Sequence, residues 1–252
     1  DTAEKLAREY GIARDEQDQF AVRSHEKAVN AWKADRLSDE TMTLYPQPKS
    51  EVLEQDIGPR EGQSMAALGK MKPYFDRKWG SVTVGNSCGI TDGAAALLLM
   101  EAGYAKSLGL QPIGRIRSAE FAGCDPSRMG LGPVYSSAKA LKSAGMTMDD
   151  VDLVELNEAF AAQVLACLKG FENPPEDCVD SDAASRLRPI DEDKLNVNGG
   201  AIAIGHPVGA TGARLILTLL GELERRDQNV GLATLCIGGG QGGAAIVERV
   251  AA

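Results

Sequence analysis

Residues 196–212 read Asn196-Val-Asn-Gly-Gly-Ala-Ile-Ala-Ile-Gly-His-Pro-Val-Gly-Ala-Thr-Gly212, which surrounds His206, one of two histidines in the chain, with glycine, proline and small residues. Glycine at this density allows the backbone to approach a ligand closely and to adopt positive φ. A helix that begins at about Gly209 would direct free N–H groups and partial positive charge at whatever the imidazole touches. The ring, with an ordinary pKa of about 6.5, is a usable proton shuttle, although a lone histidine is more often structural.

A second glycine-rich corner follows the apolar run that ends at Cys236. There Gly238-Gly239-Gly240 would remove side chains from one side of the sulfur and leave backbone N–H groups available to an oxyanion. The alternative is that Cys236 is simply a small apolar core residue. A histidine and a cysteine, each on a glycine-rich corner, suggest an acyl-transfer site.

Asn157 is a third candidate, because it stands at the end of the short apolar strand predicted over residues 152–156. Its side chain could cap the following helix, as asparagine often does at such a turn. It could equally hold a water molecule near a carbonyl oxygen. The sequence leaves the structural and the functional interpretations about even.

The composition limits the classes of function. The chain has 252 residues, 43% of them hydrophobic, and a net charge of −9, which argues against nucleic acid and anionic membranes as partners. No apolar run is long enough to span a membrane. The five cysteines are widely spaced without a C-x-x-C motif, which argues against a zinc site or a disulfide framework. We therefore expect no metal, a reducing, cytoplasmic location and no signal peptide.

Strands alternate with helices from residue 113 onward, which predicts an α/β layered domain, whereas residues 1 to about 90 form a different, loop-rich unit. A helix over residues 93–108 is predicted to begin at Asp92, and residues 170–193 are predicted to be an exposed excursion. The predicted helices cover about residues 2–10, 15–35, 93–108, 133–144, 158–169 and 209–226, and the predicted strands 81–85, 113–121, 152–156, 230–236 and 244–250.

Two further groups of side chains have simple structural interpretations. Lys70, Lys72, Arg77 and Lys78 form the densest basic cluster of this acidic chain, and they form either a solvated face or a seat for phosphates. His25 stands in the middle of a predicted helix among charged residues, which predicts a surface position.

Five blocks of this sequence resemble the thiolases, the acyl-CoA C-acyltransferases that make or cleave 3-oxoacyl-CoA. Residues 170–193 and 58–63 resemble the fatty-acid-degrading members of that family, and thus β-oxidation. The blocks are Asn196–Gly212, similar to the histidine signature; Gly231–Ala244, similar to the C-terminal cysteine signature; Asn157-Glu-Ala-Phe160-Ala-Ala-Gln163; Met129–Pro133; and Gly85–Ala94.

The resemblance implies a role for each candidate. Cys236 is implied to be the acid/base that moves a proton at the substrate α-carbon or on the coenzyme A thiol. His206 is implied to activate a nucleophile and, with a water held by Asn157, to bind the thioester oxyanion, while the N–H of Gly238 serves the acyl-enzyme oxyanion. Phe75, Ala159 and Phe160 match family positions that line the pantetheine channel. Cys88 stands at a position where many members have a serine that contacts the coenzyme. A thiol is the poorer donor, so that last contact is weakened.

The resemblance also implies a fold of two similar α/β halves, layered αβαβα, with an inserted loop domain. By this comparison residues 1–90 are part of the loop domain, 91–111 a helix of the N-terminal half, and 112–252 the complete C-terminal half. Substrates would be coenzyme A thioesters, without another cofactor, and the assembly a homo-oligomeric dimer or tetramer.

One role of the family finds no match here, since none of the five cysteines has the motif that surrounds the nucleophilic cysteine of the N-terminal half. Because the chain begins at Asp1, we expect that it lacks this half and forms no acyl-enzyme alone. The alternative is a non-catalytic coenzyme A-binding or assembly module, or one subunit of a split thiolase. We also expect the apolar segment 94–100 to leave an exposed patch that favours association.

Overall fold

The structure is a computed structural model that describes residues 1–45, 51–178 and 180–250. It divides into two compact units. The first comprises Asp1–Asp92, Glu158–Ala166 and Asn196–Pro207, and the second comprises Gly93–Asn157, Cys167–Leu195 and Val208–Ala252. The boundaries at residues 90 and 111 proposed above for the family domains stay a prediction.

Helices dominate the first unit. Helix α2 (Arg14–Lys33) buries Phe20, Ala21, Ala28 and Ala31 on one face, as its periodicity predicts. The helix begins one residue before the predicted start, and its N-cap is Ala13, whose N–H donates to the Glu16 carboxylate at 2.6 Å. The helices with residues in this unit are α1 (Thr2–Glu9), α2 (Arg14–Lys33), α3 (Met65–Leu68), the first part of α6 (Ala161–Glu172) and α8 (Ala201–Ile204), and Ser38–Glu40 forms a 3-10 turn.

The surface position predicted for His25 is wrong. This side chain lies one helical turn from both Ala21 and Ala28 on the buried face of α2, and only 4% of it is exposed. Its Nδ1 accepts a hydrogen bond from the Arg60 backbone N–H at 3.2 Å. Burial, followed by the charge of Arg60, lowers the pKa of the His25 imidazole from 6.5 to about 4.

The predicted strand over residues 81–85 is also absent from the described structure. A buried carboxylate takes the place of a neighbouring strand there, because Glu4 accepts hydrogen bonds from the N–H groups of Ser81 at 3.0 Å and Val82 at 2.9 Å. The Asn86 Oδ1 accepts the next N–H, that of Thr83, at 2.8 Å. An alternating pattern can therefore mark an extended segment whose partners are side chains.

The second unit is built on one mixed sheet. Strands β1 (Gly114–Gly123), β2 (Leu153–Leu156), β3 (Val230–Ile237) and β4 (Gln241–Arg249) are ordered β1-β4-β3-β2, with β2 parallel to β3 and the other neighbours antiparallel. This confirms the predicted strands, except that β4 begins at Gln241 rather than at residue 244. Pairing with β3 already starts at Gln241, directly after the glycine turn.

Two helices pack against this sheet. Helix α5 (Gly132–Ala144) contacts β1, β4 and β3, and α9 (Thr211–Arg225) contacts β3, β2 and β4. Leu215, Leu219 and Leu223 place one side of α9 in the core. Helix α9 begins at Thr211, two residues after the predicted start. Residues 126–131 and 148–150 form 3-10 turns before α5 and β2.

The predicted helix over residues 93–108 is largely wrong, because α4 covers only Ala102–Ser107. Its cap is Glu101, whose carboxylate accepts from the N–H groups of Gly103 and Tyr104, each at 2.8 Å. In the apolar stretch before it, Leu98 is 83% exposed and Leu99 is 62% exposed. A short apolar segment without a packing partner gains too little to form a helix.

The excursion over residues 170–193 is only partly exposed. Helix α6 continues to Glu172, and α7 (Ser181–Ala184) contacts α5. Cys178, Ala183 and Leu187 are buried. Among the described residues, no helix is both long and apolar enough to cross a membrane.

Candidate active site

The glycine corner after Cys236 is the turn of the hairpin formed by β3 and β4. Cys236 pairs with Gly242 and Ile237 with Gln241, so the residues between the strands are Gly238, Gly239 and Gly240. Cys236 is buried, with 7% of its surface exposed. The sequence prediction of a cysteine at a strand end followed by a glycine turn is therefore confirmed.

The glycines of this corner differ in their surroundings. Gly240 has φ +87°, its carbonyl accepts the Cys124 N–H at 2.8 Å, and a Cβ placed on it would lie 2.5 Å from the Cys124 carbonyl oxygen. A Cβ placed on Gly238 would meet no atom within 4 Å. Position 240 therefore requires glycine for the turn to form. At Gly238 the side on which a Cβ would stand is open, so a ligand could approach there.

Asn157 lies at the same edge of the sheet as this turn. Its N–H donates to the Thr234 carbonyl at 2.9 Å, directly after the last pair of β2 with β3, and the residue is fully buried. Because β2 and β3 are parallel, their carboxyl ends meet, which is where ligands bind in open α/β sheets. The second unit therefore brings together Asn157, Cys236 and Gly238.

A buried ion pair holds this edge. Arg214 of α9 donates from Nη1 to the Glu155 carboxylate of β2 at 2.8 Å, and the Glu155 side chain is 3% exposed. Burial of a carboxylate is costly unless it is paired and hydrogen-bonded. The pair therefore fixes β2 to α9 two residues before Asn157.

His206 belongs to the first unit and is half-buried. Its backbone N–H donates to the Thr91 Oγ1 at 2.8 Å. Gly205 before it has φ +114°, and a Cβ there would lie 2.8 Å from the Thr91 side chain. Only glycine fits this approach, so Thr91 and Gly205 together set the path of the backbone into His206.

The four residues predicted for the pantetheine channel lie together in the first unit. The rings of Phe75 and Phe160 are in edge contact, 6.1 Å between centroids, and the Cys88 N–H donates to the Ala159 carbonyl at 3.1 Å. The Phe75 side chain is 43% exposed, so this apolar wall is open to solvent. Basic side chains flank Phe75 in sequence, and all of them are exposed: Lys70, Lys72, Arg77 and Lys78.

Several cysteines are held in the thiol form. Burial, with the Glu158 carboxylate, raises the pKa of Cys88 above its ordinary value. Burial and nearby aspartates likewise raise the pKa of Cys124 and bring that of Cys178 to about 11. A raised pKa lowers the thiolate fraction at neutral pH, so these side chains are poor nucleophiles.

The sequence analysis did not identify the buried polar groups that support residues 196–206, which we call the histidine loop. Glu158 and Ser24 are 1% and 3% exposed, and their side chains are hydrogen-bonded to each other at 2.6 Å. The signal for Glu158 is a charged residue two positions after an apolar strand, inside the block of residues 157–163. Among the residues that the structure describes, no group of three or more His, Cys, Asp or Glu could hold a metal ion.

Comparison with known proteins gives one family. Residues 110–249 match the family model described as thiolase, C-terminal domain, and residues 1–103 the model described as thiolase, N-terminal domain. The chain is 46% identical over 252 residues to the 3-ketoacyl-CoA thiolase of Photorhabdus laumondii, covering 99% of this chain and 61% of that protein. It is 46% identical over 251 residues to the acetyl-CoA acetyltransferase of Escherichia coli K12, covering 99% of this chain and 59% of that protein.

Solved structures agree. The acetyl-CoA acetyltransferase from Syntrophomonas wolfei superimposes with a TM-score of 0.91 at 38% identity, covering 99% of this chain and 60% of that one. Human mitochondrial 3-ketoacyl-CoA thiolase in complex with CoA gives a TM-score of 0.88 at 38% identity, covering 99% and 58%. The chain thus spans about three fifths of the length of its curated relatives. The predicted thiolase-like α/β fold is confirmed, and this chain belongs to the thiolase family.

Proposed function

We propose that this chain contributes the acid/base and oxyanion-binding half of a thiolase-type acyltransferase site. The reaction is thiolytic cleavage of a 3-oxoacyl-CoA or, in reverse, Claisen condensation of two acyl-CoA units. The observation that carries the proposal is the meeting of Asn157, Cys236 and the open side of Gly238 at the carboxyl ends of β2 and β3.

Cys236 is the proton carrier in this proposal. A nucleophilic thiolate attacks the 3-oxo carbonyl, the bond between the α- and β-carbons breaks, and its electron pair passes to the α-carbon as an enolate. The Cys236 thiol then gives its proton to that carbon, which releases acetyl-CoA and leaves the shortened acyl group on the nucleophile as a thioester. The resulting Cys236 thiolate takes the proton of an incoming coenzyme A thiol, which attacks the acyl-enzyme and restores the starting state.

The remaining candidates stabilise negative charge on oxygen. His206, together with a water held by Asn157, donates to the enolate oxygen of the thioester and activates the nucleophile. The N–H of Gly238 donates to the oxyanion formed when the acyl-enzyme is attacked. Preorganised donors of this kind are each worth about 10²–10³-fold in rate.

The acylated nucleophile is not among the five cysteines of this chain in our proposal. The raised pKa values of Cys88, Cys124 and Cys178 support this. Cys167 supports it too, because its fully buried thiol donates to the Gly130 carbonyl at 3.0 Å in the core of the second unit. We therefore infer that the chain alone does not turn over.

The first unit is proposed to bind the coenzyme. The open wall of Phe75 and Phe160, with Ala159 and Cys88 beside it, suits an apolar pantetheine chain. Exposed lysine and arginine side chains near Phe75 in sequence suit the phosphates. The raised pKa of Cys88 keeps its side chain a thiol, so its contact with the coenzyme is weaker than that of a serine. A role in fatty-acid β-oxidation, a homo-oligomeric assembly and a cytoplasmic location complete the proposal.

The test is thiolysis of acetoacetyl-CoA by the protein purified from its source cells, with its intact mass measured in the same preparation. We expect Cys236→Ala, His206→Ala and Asn157→Ala to lower kcat by about 10²-fold or more. Cys178→Ser, outside the site, is the matched control and should stay within about twofold of the parent. Activity of Cys236→Ala equal to that of the control would refute the proposed role.

A further inference from the structure

Glu158 follows Asn157 directly, and its carboxylate is one of the most buried charged groups of the first unit, with 1% of the residue exposed. It accepts hydrogen bonds from three sides. The donors are the Ser24 Oγ at 2.6 Å, the Asn196 Nδ2 at 2.8 Å and the backbone N–H of Ile202 at 3.2 Å. A charge buried to this degree is stable only because such donors replace water.

Two of these donors, Asn196 and Ile202, belong to the loop that precedes His206. Asn196 opens the run and Ile202 belongs to α8, the short helix that ends just before Gly205. Ser24 of α2 links them, since its Oγ also accepts the Gly200 N–H at 3.2 Å. Carboxylate and hydroxyl together therefore fix residues 196–202 against α2.

The loop backbone lies so close to these groups that side chains are excluded. A Cβ on Gly199 would lie 2.7 Å from Ala28 Cβ and from the Ser24 carbonyl oxygen, and a Cβ on Gly200 would overlap the Glu158 carboxylate. The far end of the loop is held independently by the bond from the His206 N–H to Thr91. The glycines that first mark this loop in the sequence thus serve its contact with Glu158.

We propose that Glu158 is a positioning residue for the His206 imidazole, an inference that rests on the proposed function. The carboxylate touches no reacting atom in this proposal. It holds the loop in the one path that delivers the ring, and it also contributes to keeping Cys88 protonated. A displacement of about 1 Å at a reacting group can lower a rate by about 10²-fold, so loss of this anchor acts on kcat more than on KM.

The variants are Glu158→Ala, Glu158→Gln and Ser24→Ala. Alanine at position 158 removes the acceptor of three hydrogen bonds. Glutamine keeps one acceptor oxygen and the side-chain volume, so Glu158→Gln should disturb the loop less than Glu158→Ala does. Glu4→Gln is the matched control, because Glu4 is also buried, 3% exposed, and accepts backbone N–H groups, but those of Ser81 and Val82. It should lose stability without disturbing the histidine loop.

The first readout does not depend on activity. The chain has two histidines, so an NMR spectrum of the imidazole C–H groups contains two sets of signals that single histidine variants assign. Glu158→Gln and Ser24→Ala should shift or broaden the His206 signals and change the midpoint of their titration, while the His25 signals keep theirs. In Glu4→Gln the His206 signals should match those of the parent.

The second readout is thiolysis by the protein from its source cells. We expect kcat to fall about 10- to 100-fold in Glu158→Ala and less in Glu158→Gln, with KM within about threefold of the parent. Unchanged His206 signals in both Glu158→Gln and Ser24→Ala would overturn the positioning role, even if Glu158→Ala does not fold. If the His206 signals are displaced in these two variants but the parent protein has no thiolase activity, the proposed function is refuted and the positioning role stands.

Discussion

Gly240→Ala adds a single methyl group to the turn between β3 and β4, and we expect it to lower the free energy of unfolding. Alanine must adopt φ +87° there, which costs about 1–2 kcal/mol for a residue with a Cβ. The new Cβ would lie 2.5 Å from the Cys124 carbonyl oxygen and 2.8 Å from Pro126, so the hydrogen bond from Cys124 to Gly240 must also lengthen or break. That loss adds about 1 kcal/mol or more, giving about 2–4 kcal/mol in total.

Gly238→Ala, two residues away, is the matched control. Its Cβ meets no atom within 4 Å and its φ lies outside the left-handed region. Because alanine restricts the unfolded chain, the free energy of unfolding should stay level or rise by up to about 1 kcal/mol. Urea unfolding followed by circular dichroism measures both variants. A Gly240→Ala midpoint equal to that of the parent, or equal losses in the two variants, would refute this reading of the turn.

Three further predictions concern stability and assembly. Because the pKa of His25 is lowered in the folded protein, the unfolded chain takes up the proton at a higher pH than the folded one. The free energy of unfolding should therefore fall by up to about 3 kcal/mol as pH drops from about 6.5 to 4. In His25→Gln the free energy of unfolding should change less over this pH range. Arg214→Ala removes the Nη1 donor from the buried Glu155 carboxylate and should cost about 3 kcal/mol in urea unfolding, clearly more than Lys142→Ala in the exposed pair with Asp180. Exposed apolar side chains of the second unit should cause association, and a single 26.7 kDa species in light scattering would speak against it.

The strands of the sheet and the two glycine corners could be predicted from the sequence because local chemistry decides them. Alternation, apolar runs and turn residues placed all four strands, and glycine density marked the loops before His206 and after Cys236. At these places the local preference and the tertiary structure agree. The roles of Asn157, His206, Cys236 and Gly238 stay predictions, since the fold positions them without showing their chemistry.

The errors have a common cause, which is a partner distant in sequence. The buried imidazole of His25 accepts a hydrogen bond from the Arg60 backbone N–H. Residues 81–82 are extended because Glu4 accepts their N–H groups. The anchor of the histidine loop joins Ser24 to Glu158 across 134 positions. Conversely, the apolar segment before α4 consists of residues that favour helices, but its exposed leucines lack the packing that a helix needs.

Mass spectrometry of the isolated chain after incubation with acetyl-CoA tests most directly whether this polypeptide supplies only half of a thiolase site. We expect none of its five cysteines to form an acyl adduct that coenzyme A removes, and we expect the chain alone not to cleave acetoacetyl-CoA. In the protein from source cells, the same assay should give an acyl adduct outside residues 1–252 and turnover that depends on Cys236. An acyl adduct on one of the five cysteines, with turnover lost when that residue is replaced, would contradict this expectation.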